Sequence, residues 1–134
     1  MGERWSAVAD WNLVAGWSGM ILGLFAGASI GLFFHRESFA GGYSSFRRRL
    51  MRLGHVAFFG LGILNVLFAL TLDITGAELR YPAAASLSLI AAAVLMPLIC
   101  FLSAWKMPFR HLFAIPVFCV AITLVLLTEG LVKL

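Results

Sequence analysis

Charge is scarce in this sequence and unevenly placed. Charged residues make up 12% of the chain, about half the ~25% usual in soluble domains. None lies inside the long apolar runs, so the usual residues of an ion path or proton relay are missing. Cysteine is confined to Cys100 and Cys119, with no Cys-x-x-Cys spacing and none in a connecting segment. A disulfide framework and covalent c-type haem are thereby excluded, and so are four-helix quinone-linked enzymes that generate disulfides. The two thiols read as buried packing groups. Also absent is a polar face to meet water: 62% of residues are hydrophobic, against ~45–50% in soluble proteins. A soluble enzyme is excluded.

What the chain has instead is apolar runs at Leu13–Phe34, Leu53–Leu72, Ala83–Ala104 and Leu112–Thr128. Each is close to the ~20 residues a helix needs to cross a ~30 Å hydrocarbon layer. Lipid offers backbone groups no partners, so each run must satisfy its own hydrogen bonds as a helix. The expected fold is all-α, an integral membrane four-helix bundle running up and down as one domain over residues 1–134. Its helices are expected at about 12–34, 53–73, 83–104 and 111–130. The connections His35–Arg52, Asp73–Pro82 and Trp105–His111 are too short to enclose an active site.

The net charge of +4 would suggest nucleic acid in a soluble protein, but here topology accounts for it. Arg36, Arg47, Arg48, Arg49, Arg52, Lys106 and Arg110 fall in the first and third connections; Arg4, Arg80 and Lys133 fall opposite. The positive-inside bias then puts the basic connections in the cytoplasm and both termini outside, as in a bacterial inner membrane. Glu3, Asp10, Asp73, Glu78 and Glu129 share the outer side. Acid near the start and the length of the first run argue against a cleavable signal. Arg47, Arg48, Arg49 and Arg52 flank the second helix and are expected to fix topology and touch anionic headgroups. Trp5, Trp11 and Tyr81 at one boundary and Tyr43 and Trp105 at the other read as aromatic belts.

The first helix carries the sharpest pattern. Ala15, Gly19, Gly23, Gly27, Gly31 and His35 recur every fourth residue, a glycine-zipper stripe drifting ~40° per step around the helix. Overlapping Gly-x-x-x-Gly units let another backbone approach closely. The partner is open: the third helix, with Ala84, Ser88 and Ala92 at the same spacing, another copy, or another membrane subunit. A flat cofactor or lipid tail is a further candidate. Asn65, near mid-membrane, is expected to bond across helices. Pro97 is expected to kink the third helix.

The topology brings His35, His55 and His111 to one membrane face, and imidazole can ligate haem iron, bind a metal or carry protons. His55 and His111, on diagonal parallel helices, are the expected ligands of a non-covalent haem b, with His35 as spare. A quinone asks less: one histidine, a nearby arginine and an apolar cleft. A metal site would need three or four converging ligands, and the spacings match no known signature. The bland alternative is that all three snorkel at the interface and bind nothing. The expected role is a small, non-catalytic membrane subunit of a larger electron-transfer complex, with a haem b or quinone contact at the cytoplasmic face. The alternatives are an autonomous b-type cytochrome and a small oligomeric transporter or channel. Transport is disfavoured because proton-coupled four-helix exporters need a carboxylate inside the first helix, and Leu13–Phe34 has none.

Overall fold

The computed structural model describes residues 3–134, with side chains from residue 7 onward. The side chains of Glu3, Arg4 and Trp5, expected on the outer side, lie outside the described residues. The described residues form four α-helices and no strand: α1 (Glu3–Phe34), α2 (Phe46–Thr75), α3 (Pro82–Trp105) and α4 (Ala114–Val132). Short 3-10 helices occupy Phe39–Gly41 and Met107–Phe113. All four α-helices belong to spans long and apolar enough to cross a membrane, the last beginning at Met107. By length and composition these are the helices of an integral membrane bundle.

Three helix starts differ from the sequence expectation, each for a local reason. α1 begins well before residue 12, because no glycine or proline interrupts the chain between Glu3 and Asn12, and Ala9 and Asn12 are buried against the bundle. α2 begins at Phe46, where extended Ser45 accepts the Arg48 N–H on its hydroxyl at 3.2 Å. That N-cap, followed by good helix formers, winds the arginine cluster into the helix instead of leaving it in a loop. α4 begins later, at Ala114. Pro116 cannot donate to the Leu112 carbonyl, so regular α-helix stops there and the preceding turn tightens to 3-10. α2 ends where Gly76 takes a left-handed φ of 64° and donates its N–H to Leu72, a glycine C-cap.

α3 is the centre of the bundle. It packs against α1, α2 and α4, whereas α4 makes its extended seam with α3 alone. The buried share of each apolar span agrees: 39% for α3, but 17% for α1 and 11% for α4. The outer helices therefore turn side chains such as Trp17, Phe25, Phe118 and Val125 away from the protein, as lipid contact requires. Specific contacts join the neighbouring helices: Gly16 meets Gly62 and Gly23 meets Phe58, and Thr123 meets Ala85. A core of Phe68, Leu72, Ala77, Leu79, Ala85 and Leu89 closes the end that holds the α2–α3 connection. Cys100 is buried and Cys119 half-buried, both free.

Of the glycine stripe, Gly23 and Gly27 meet α2 side chains, while the closest backbone approach lies beside the stripe, at Gly16. A Cβ added at Gly16 would lie 2.6 Å from the Gly62 carbonyl oxygen, and one at Gly62 would lie 2.8 Å from that of Gly16. Neither methyl fits, so this reciprocal pair sets how closely the two backbones approach. Gly23 is filled by Phe58 and Phe59, whereas Gly19 makes only an ordinary contact and nothing approaches Gly31. On α3 the deeply buried small residues are Ala85 and Ala92, while Ala84 is exposed and Ser88 half-buried.

Candidate functional site

Three polar constructions interrupt the apolar bundle. Two are complete in themselves and one is open.

The first is a closed network in the buried interior. Asn12 of α1 donates its amide to the Asn65 side-chain oxygen at 2.8 Å. Ser86 of α3 donates to the other side of the Asn12 amide. Asn65 donates in turn to the Leu61 carbonyl at 2.8 Å and the Leu89 carbonyl at 3.4 Å. Thr123 extends the tie to α4 by donating to the Ala85 carbonyl at 2.8 Å. Asn12, Asn65 and Thr123 are almost wholly buried, so every bond forms without competing water. One interhelical bond contributes only ~0.6 kcal/mol in lipid, so the network fixes register and rotation more than it holds the helices together.

The second is Arg48. It is turned inward and 1% exposed, unlike its neighbours Arg47, Arg49 and Arg52. Its guanidinium donates to the carbonyls of Phe34, Arg36, Glu37 and Phe39, with Nε at 2.8 Å from Phe39 O. The same group lies 5.0 Å from the centre of the Phe34 ring. Arg48 therefore satisfies the C-terminus of α1 and the turn after it, where a cation complements the helix dipole. The headgroup contact expected of all four arginines is closed to this one.

The third is a groove of about 500 Å³ on the α1–α2 seam, lined by Leu24, Gly27, Ala28, Gly31, Phe34, Phe59, Arg52 and His55 among others. It exists because nothing fills the space over Gly31. His55 is half-buried and its ring lies against Gly27, where a Cβ would come within 2.8 Å of Nδ1. That nitrogen is 2.9 Å from the Gly23 carbonyl oxygen. A carbonyl can only accept, so Nδ1 carries the proton, and Nε2 of the neutral ring is left with a lone pair. Phe59 meets the imidazole edge-on at 5.4 Å. Arg52 stands almost one helical turn before His55 on α2 and stacks over Tyr43 at 5.5 Å.

The structure does not gather the three histidines. His35 is exposed just past the end of α1, and His111 is exposed in the 3-10 segment before α4. His55 points at α1, whereas the turn bearing His111 packs on α3. No cluster of three or more His, Cys, Asp or Glu with metal-holding potential occurs among the described residues. Arg52, a member of the basic cluster, joins His55 instead.

Asn12, Ser86 and Arg48 were not singled out by the sequence reading as inward-facing groups. For Asn12 a signal exists: it precedes Gly16 by one helical turn and shares its α2-facing side. For Arg48 none does, since an arginine among arginines reads as solvated. Compared with known proteins, the chain matches no family model, no curated protein and no solved structure.

Proposed function

We propose that this protein is a non-catalytic integral subunit of a larger electron-transfer assembly in a bacterial inner membrane, touching a redox ligand, haem b or quinone, at His55. The bundle runs up and down with both termini outside. The exposed positions of Arg36, Arg47, Arg49, Arg52, Lys106 and Arg110 in or beside the α1–α2 and α3–α4 connections support a cytoplasmic placement of that end. Connections too short for a soluble active site and spans without interior carboxylates support a subunit over an enzyme or a transporter. The exposed apolar sides of α1 and α4 suit lipid or neighbouring subunits.

The observation that carries the ligand contact is the His55 ring, held by one nitrogen and bare at the other, beside an unfilled groove. An axial histidine is held in the same way, by its second nitrogen on a carbonyl. An autonomous b-type cytochrome with two histidine ligands has less support, since only His55 lines the groove. Purification in mild detergent, followed by an absorption spectrum and native migration, tests the proposal. It expects comigration with larger membrane proteins and a ligand lost in His55→Ala. A colourless, ligand-free homo-oligomer would overturn it in favour of a transporter or channel.

A further inference from the structure

The groove has a chemical polarity that narrows its occupant. Both of its polar side chains, Arg52 and His55, come from α2 within one turn of each other. The rest of the lining is apolar, with Ala28 and Gly31 forming a bed of small residues beside the His55-covered Gly27, and Phe34 and Phe59 on the walls. Such a shape suits an amphiphile with a flat polar head and a long apolar tail, arriving from the lipid.

Two alternatives fit less well. A haem held on both sides needs a second histidine, and His35 and His111 are exposed elsewhere. A phosphodiester lipid head is acceptor-only at its oxygens, so it can pair with the Arg52 guanidinium but offers no donor to an Nε2 that carries a lone pair. A head group with hydroxyl donors satisfies Nε2, and the Arg52 guanidinium can donate to an oxygen of the same head.

We infer that the α1–α2 groove binds an isoprenoid quinone as its quinol, with a ring hydroxyl donated to His55 Nε2 and the tail laid over Ala28 and Gly31. This deepens the His55 reading above and rests on it. It is a binding assignment, with no electron or proton transfer attached.

The test uses the full chain in detergent, with organic extraction of the purified protein and equilibrium partition of decyl-benzoquinol between protein-loaded and empty micelles. Extracted quinone and saturable binding are expected. Gly31→Leu grows into the open space, where nothing lies within 4 Å of an added Cβ, and should weaken binding by about tenfold or more. His55→Leu removes the acceptor and should also weaken it about tenfold. Gly60→Leu adds the same bulk on α2 outside the groove lining, where nothing lies within 4 Å, and should leave binding unchanged. Thermal unfolding of each variant separates lost binding from lost fold.

Binding that is indifferent to Gly31→Leu overturns the assignment. A Soret band dependent on His55, with no quinone, overturns the quinol but leaves the redox-ligand reading standing. Phospholipid alone in the extract, with no saturable quinol binding, overturns both.

Discussion

Removing Asn12 should cost more than the bond it donates, and the excess should depend on Asn65. In Asn12→Ala, the Asn65 oxygen loses its donor and the Ser86 hydroxyl loses its acceptor, both in the dry interior. Two interhelical bonds at ~0.6 kcal/mol each, plus ~1 kcal/mol for stranded polar groups, give a destabilisation of about 2 kcal/mol. Asn65→Ala breaks the same bond to Asn12 and frees the Leu89 carbonyl, for a similar loss. In the double variant the shared bond and its stranded partners are counted once, so the combined loss should fall short of the sum by about 1 kcal/mol. Reversible unfolding in mixed micelles, read by circular dichroism on all four proteins, measures that coupling. Strict additivity would refute the network.

Other consequences follow from single side chains. Gly62→Val places methyls against the Gly16 carbonyl and Met20, so α1 and α2 must separate; a loss of about 2–3 kcal/mol in the same unfolding assay is expected. Arg48→Lys keeps the charge but not the planar fork that reaches four carbonyls, and should cost about 1–2 kcal/mol. The loss should appear with faster amide exchange at residues 34–42, whereas Arg47→Lys, at an exposed site, should change neither measurement.

The sequence made the membrane helices legible because lipid imposes one requirement, roughly 20 apolar residues per crossing, that leaves a long record in composition. It was less informative at helix starts. The arginines of α2 look like a loop until Ser45 is seen capping them, and the tightening before α4 depends on one missing N–H at Pro116. The glycine stripe left its partner open, and the closest backbone contact falls beside it, at Gly16 and Gly62. The stripe of Ala84, Ser88 and Ala92 on α3 has the matching spacing, and only packing decides whether the two meet. The histidines share a sequence environment of helix ends beside arginine. What sets His55 apart is the Gly23 carbonyl, 32 residues earlier in the chain. Asn65 drew attention for its depth, yet the amide it meets sits near the start of α1, where a polar residue excites no suspicion.

The central claim is that Gly23 holds the His55 ring so that one nitrogen faces the groove unprotonated. Solid-state 15N spectra of histidine-labelled protein in lipid nanodiscs, with His55 assigned by substitution, read this directly. Nδ1 should appear protonated and hydrogen-bonded, with Nε2 bare and shifting when decyl-benzoquinol is added. A spectrum with the proton on Nε2, or a His55 signal that behaves like those of exposed His35 and His111, would contradict it.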